Sequence, residues 1–208
     1  MGFFPVFLKL DGRRCLVVGG GPVAERKVEG LLAAGATVTV VSPALTPRLQ
    51  ALVTARSIRH EPRAYRPGDL AGFALGFAAT DDGGVNSALA EEGRRQGAWV
   101  NAADDAAHSD FILPSIVRRG SLTVAVGTEG TSPALARAVR EELERHLGPE
   151  YAELAVLVGD VRRELRARRR TPDAETWSRA LDAELRALLV AGRRDQARER
   201  LLDRLGVA

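Results

Sequence analysis

The chain is nearly without lysine and cysteine. Only Lys9 and Lys27 interrupt a set of 30 basic residues that is otherwise arginine, and Cys15 is the single cysteine in 208 residues. One thiol excludes an internal disulfide and any multi-cysteine metal site, and it fits a reducing cytoplasm. Long apolar runs are missing as well. The longest, such as LGFAAT and LTVAVG, fall far short of the roughly 18 residues needed to cross a bilayer, so no membrane partner is expected. The opening MGFFPVFLKLDG has no basic region ahead of a long hydrophobic stretch, hence no targeting segment is expected. Aromatic residues are sparse at 5%. RRELRARRR, residues 162–170, therefore lacks the stacking groups of a nucleic-acid patch and reads as a solvated helix face.

What is present is ordinary globular material, 45% apolar and 27% charged. Residues 151–208 hold 13 arginines against 10 acids, while residues 1–150 carry 17 of each sign, so the basic excess is C-terminal.

RCLVV (14–18) reads as a buried strand, and Val23, Val28, Leu31 and Leu32 then recur at helical spacing up to Gly35, a natural helix stop. ATVTVV (36–41) is a second strand, which completes a βαβ unit. The alternation goes on: a helix near 46–55, a short strand near 57–61, strand FALGFAAT (73–80), a helix over 83–96 and strand AWVNAA (98–103). Such a pattern predicts a doubly wound parallel sheet with helices on both faces.

After Asp110 the pattern changes. FILPSIVRRGSLTVAVGT reads as two strands joined at Arg119 and Gly120. Ser132–Pro133 opens a helix with Leu135, Val139, Leu143 and Leu147 along one face, Leu154 to Leu165 form another stripe, and Thr171–Pro172 opens a further helix carrying Trp177, Leu181, Leu185 and Leu188. The expected divisions are a dinucleotide domain (1–112), a hairpin-plus-helix dimerisation region (113–148) and a helical C-terminal domain (149–208). Its small interior leads us to expect a homodimer.

Within GGGPVA, Gly19, Gly21 and Ala24 fit GxGxxA: a glycine for the turn, a glycine for close approach of a pyrophosphate, and a small residue for helix packing. The second strand ends at Ser42, where an acid would ordinarily hold the ribose, and no arginine follows to claim a 2′-phosphate, which favours NAD over NADP. Ser42, Pro43 and Ala44 then line the adenosine pocket. Thr80 and Asp81 end the next strand at the same edge, and Asp82 either joins them or caps the following helix. NAADDAAHSD (101–110) gathers carboxylates and an imidazole there; Asp104 or Asp105 serves as a base, or both are turn residues, and His108 is a weaker candidate.

Taken together, GGGPVAERK, AATDD, NAAD and GTSPALARAVRE resemble the precorrin-2 dehydrogenase/sirohydrochlorin ferrochelatase family, whose module also opens siroheme synthase. The resemblance runs from Pro5 to about Leu147. It implies a Rossmann-type sheet, NAD bound against Gly20, Gly21, Pro22 and Val23 and against Pro43 and Ala44, oxidation of precorrin-2 to sirohydrochlorin, and in many members ferrous iron insertion. The family's aspartate used in both steps corresponds to Asp104. A substrate with eight carboxylates needs cationic or amide donors, for which Arg118, Arg119, Arg137 and Arg140 stand near the second domain, beside Asp105, His108 and Thr128. Some relatives carry serine, including a phosphorylatable one, in the segment matching GTEGTSP, whereas Gly127, Thr128 and Glu129 stand here, which weakens any carry-over of phosphorylation. At 208 residues there is no room for a methyltransferase domain, so a stand-alone form is expected. A module that senses NAD without chemistry is the alternative.

Overall fold

The computed structural model describes residues 2–103, 105 and 108–207, and the chain forms two compact units, Met1–Leu113 and Pro114–Ala208. In the first, five strands make one parallel sheet: β1 (Arg14–Val18), β2 (Thr37–Val41), β3 (Arg59–Glu61), β4 (Leu75–Ala78) and β5 (Trp99–Ala102). Their order is β3-β2-β1-β4-β5, so the direction of winding reverses between β1 and β4.

A strand buried on both faces needs apolar side chains along its buried length, and β1 supplies them from Cys15 to Val18, after an exposed Arg14. Cys15 and Val17 face a core built with Val38, Val40 and helices α1 (Pro22–Ala33) and α2 (Pro47–Thr54), through Ala24, Val28, Leu31 and Leu49. Leu16 and Val18 point the other way, toward Leu89 and Ala90 of α3 (Gly83–Gln96) and Val100 of β5. Two-residue alternation along a single strand therefore fixes which helix covers which face. On the α3 side, Glu92 is 2% exposed and accepts from the Tyr65 hydroxyl (2.5 Å), Gly68 N (3.0 Å), Leu70 N (3.0 Å) and Gln96 Nε2 (2.9 Å), which clamps the segment leading into β4.

The second unit opens with an antiparallel ribbon, β6 (Ser115–Arg119) and β7 (Leu122–Val126); its turn is Gly120–Ser121, one residue later than the expected Arg119–Gly120, because Arg119 still pairs with Leu122. Helix α4 (Pro133–His146) lies on the ribbon, and Arg119 Nε donates to Leu147 O at 2.7 Å. Helices α5 (Glu150–Ala167), α6 (Ala174–Ala180), α7 (Ala183–Val190) and α8 (Arg194–Arg204) enclose Leu157, Val161, Leu165, Leu185 and Leu201. The single helix expected from Thr171 onward is in fact two. Asp173 caps α6 by accepting from Thr176 N, and Asp182 starts a new helix by accepting from Leu185 N, each at 2.8 Å. An aspartate that satisfies orphan amides outcompetes helix continuation at that point.

Candidate active site

The carboxyl ends of β1 and β4 flank the reversal of strand order, the place where an open parallel sheet forms a ligand crevice. Three consecutive glycines leave β1 there, and each meets a different surrounding. Gly19 has φ 122°, and a Cβ on it would lie 2.1 Å from the Ala79 carbonyl oxygen, so only glycine lets the β4 loop close against β1. Gly20 faces the loop after β2: a Cβ would stand 1.9 Å from Ala44 O and 2.7 Å from Ser42 Oγ. Gly21 differs, because a Cβ there meets nothing within 4 Å. The first two glycines let loops touch, and the third borders open space.

That space faces the start of α1. Gly21 is its N-cap and offers no side chain, Pro22 at the first helical position has no N–H, and the Val23 and Ala24 amides meet no acceptor among the described residues. Glu25, the acid of the first turn, is drawn aside by the Thr46 hydroxyl, which donates to it at 2.5 Å. A helix N-terminus with uncapped amides and no adjacent free carboxylate suits an anionic group such as a pyrophosphate. The glycine cradle and the free amides thus fit a dinucleotide.

Thr46 went unnoticed in the sequence. It caps α2 by accepting from Leu49 N (3.2 Å), its own N–H donates to Gly20 O (3.0 Å), and it reaches Glu25, so one residue ties α1, α2 and the glycine turn together. A Thr-Pro pair at a helix start was the available signal.

Ser42 is 7% exposed, and its hydroxyl donates to Ala44 O at 2.7 Å, while its carbonyl lies 2.9 Å from His60 Nε2. The side chain expected to meet a ribose shapes its own loop instead, leaving Pro43 and Ala44 exposed at the lip. Thr80 is similarly engaged: its hydroxyl donates to Asn86 Oδ1 (3.0 Å) and accepts from Asp82 N (3.2 Å). Asp82 caps α3 through Gly84 N and Val85 N, and Asp81 is exposed beside it.

Within β5, Asn101 is 6% exposed, donates from Nδ2 to Phe111 O (2.9 Å) and accepts from Lys27 Nζ (3.3 Å). One of the two lysines thus links α1 to β5. Asp105 accepts from His108 N at 3.1 Å, and its other oxygen lies 2.6 Å from His108 Nδ1, both side chains being about two-fifths exposed. With the proton on Nδ1, the carboxylate orients the ring and leaves Nε2 as the acceptor. Ser109 and Asp110 brace this turn, Ser109 Oγ accepting from Ala102 N (2.9 Å) and Asp110 Oδ2 from Val100 N (2.8 Å). Asp104 lies outside the described residues.

The remaining candidates belong to the second unit. The Thr128 hydroxyl donates to Ser132 O (3.0 Å) and accepts from Ser132 N (3.2 Å), closing the turn before α4. Arg137 pairs with Glu141 at 3.0 Å, holding that carboxyl below the usual carboxylate range, and Arg140 pairs with Glu141 and Glu144. Arg119 is spent on backbone carbonyls, whereas Arg118 is exposed. Among the described residues there is no group of three or more His, Cys, Asp or Glu side chains able to hold a metal ion, and no helix is long and apolar enough to cross a membrane.

Comparison with known proteins agrees with this geometry. Residues 119–146 match the central region of a sirohaem biosynthesis protein. The siroheme synthase of Thioalkalivibrio sulfidiphilus is 44% identical over 205 residues, 97% of this chain and 42% of the relative; that of Chromobacterium violaceum is 42% identical over 207 residues, 99% of this chain and 44% of the relative. The chain thus spans less than half the length of these curated relatives. A solved precorrin-2 dehydrogenase, SirC, superposes with a TM-score of 0.80 at 26% identity, covering 97% of this chain and all of that one. Residues 6–115, more than half of the chain and the whole of the glycine-lined crevice, match the NAD(P)-binding family, and the chain belongs to it.

Proposed function

We propose that this chain is an NAD-dependent dehydrogenase that oxidises precorrin-2 to sirohydrochlorin. The observation that carries the reading is the crevice at Gly21, where open space meets uncapped α1 amides, in a chain whose likeness to a precorrin-2 dehydrogenase extends over 97% of this chain and all of that one. NAD supplies the hydride acceptor when bound. The chain's own groups do the rest: the Val23 and Ala24 amides receive the pyrophosphate, and the exposed Pro43–Ala44 lip borders the adenosine. At the far end of the sheet edge, loss of hydride from a reduced tetrapyrrole must be matched by loss of a proton, and Asp104, two residues beyond β5, takes it. The arginines Arg118 and Arg137 engage substrate carboxylates, Arg137 after exchanging its partner Glu141, while Thr128, whose proton is given to Ser132 O, holds the turn before α4.

Insertion of ferrous iron, as a second substrate, is favoured by the Asp105–His108 pair. Metal entry displaces pyrrole protons, and an imidazole oriented by a carboxylate beside β5 can receive them. A homodimer accords with the exposed apolar side chains of the second unit, Ile116, Leu135, Val156 and Val190 at 41–70%. A reducing cytoplasm suits the single buried thiol.

The deciding experiment supplies precorrin-2 and NAD and follows NADH together with the sirohydrochlorin spectrum. Stoichiometric appearance of both is expected, and Asp104→Ala slows it by about 100-fold or more, the scale of general-base catalysis. NAD binding without turnover, where a known dehydrogenase works, identifies a sensor. Sirohydrochlorin with ferrous ion, against a no-protein control, reads the second activity. Light scattering reports the dimer.

A further inference from the structure

The second unit contains a groove that the proposed chemistry leaves unused. It lies between the C-terminal half of α5 and α6, has a volume of about 680 Å³, and is floored by Val158, Leu165 and Leu181. Trp177 forms one wall, partly exposed, and its indole N–H donates to no described residue.

The rim is arginine. Arg162 and Arg166 stand one helical turn apart, about 6 Å along the axis. Arg169 turns the chain with φ 56°, so that Arg170 N donates to Leu165 O at 2.8 Å and Arg170 closes the row at the groove mouth. Neighbouring arginines are paired, Arg168 with Glu164, Arg194 with Glu153, Arg198 with Glu164 and Arg200 with Asp182. Arg162, Arg166 and Arg170 pair with no carboxylate among the described residues. Favourable placement of cations near a helix C-terminus accounts for their charge but not for an apolar trough with an indole between them. Three guanidiniums with no carboxylate partner among the described residues, around an apolar floor walled by an indole, complement a conjugated ring with several anionic groups.

We propose that this groove is a second binding site, for the polycarboxylated tetrapyrrole. Its identity as tetrapyrrole rests on the dehydrogenase reading above. Nucleoside polyphosphates share the chemistry of a flat ring bearing anions, and the test separates the two sources. A holding site of this kind keeps product on the protein after it leaves the sheet edge.

The test uses the full chain carrying Trp99→Phe, which leaves Trp177 as the sole indole. Uroporphyrin, an octacarboxylate that needs no turnover, is titrated by ultrafiltration and by Trp177 quenching, with ATP in a parallel arm. Two porphyrins per chain are expected, with quenching. Arg162→Glu/Arg166→Glu weakens the quenching phase at least 10-fold and removes one equivalent, while steady-state precorrin-2 oxidation and the thermal midpoint stay unchanged. Equal stoichiometry and quenching in parent and double variant overturn the proposal, as does arginine-dependent quenching by ATP with none by uroporphyrin. A chain that fails to oxidise precorrin-2 yet binds porphyrin in this arginine-dependent way refutes the dehydrogenase reading and supports the groove.

Discussion

Gly21→Ala isolates ligand approach from folding. Gly21 has φ −85° and ψ −174°, a conformation alanine adopts freely, and its new methyl would meet nothing within 4 Å. Loss of unfolded-chain freedom stabilises such a change by about 0.4–1 kcal/mol. Alanine is a poorer N-cap than glycine by a comparable amount. Net stability should therefore stay within about 0.5 kcal/mol of the parent in urea denaturation. NAD affinity should not, because the methyl occupies the volume through which a pyrophosphate reaches the Val23 and Ala24 amides. Two charge-assisted hydrogen bonds at about 1.5 kcal/mol each, the lower end of their range, amount to about 3 kcal/mol. That corresponds to roughly a 150-fold rise in Kd by calorimetric titration. Gly19→Ala is the control: its methyl meets Ala79 O at 2.1 Å with φ 122°, so it should cost about 3 kcal/mol or more of stability before any ligand is added. If Gly21→Ala binds NAD within threefold of the parent, the pyrophosphate does not lie at this turn and the crevice argument is wrong.

Other perturbations test the scaffold. Glu92→Gln places an amide among four donors, and should lower stability by about 3 kcal/mol in urea; a change below about 0.5 kcal/mol would show the clamp to be idle. Burial pushes the Cys15 thiol up to about 11, so native protein at pH 8 should resist thiol reagents that label it at once in urea. Because the folded thiol holds its proton longer than the unfolded one, stability should fall by about 3 kcal/mol as pH rises from about 9 to 11, and Cys15→Ala should flatten that part of the curve. Asp182 behaves with the opposite sign: Arg200 at 2.6 Å and Leu185 N hold its carboxyl below the ordinary value, so its contribution is present above about pH 4 and is lost as pH falls further. Asp182→Asn, which keeps a capping side chain, should remove that acid-side dependence from the thermal midpoint.

The elements of the first unit were legible because their causes are local. Four buried residues in a row make β1, and a glycine turn followed by apolar residues at helical spacing makes α1. The break at Asp182 was legible in principle, since an aspartate followed by an acid in the first turn is a helix-start signal, but the leucine spacing across Leu181 and Leu185 masked it. What a hydroxyl bonds to was not legible. Ser42, Thr80 and Thr128 all look available on paper, and all three are satisfied within their own turns. Local backbone groups are always within reach of a short side chain, and a distant ligand is not.

The absent ribose acid is explained by the same packing. The loop after β2 closes on Gly20 so tightly that even a methyl there would collide with Ala44 O, and Ser42 Oγ already stands 2.7 Å from that methyl's position. A carboxylate at residue 42 in the same rotamer would be driven into the glycine turn, and would bring an unpaired charge to a position that is 7% exposed. The serine instead spends its proton on Ala44 O and so shapes the lip on which adenosine would rest. The shape of this edge is therefore set by backbone packing and by Thr46, which ties that loop's helix to Gly20 O and Glu25. An acid is missing here because the loop that would carry it has become a wall of the cradle.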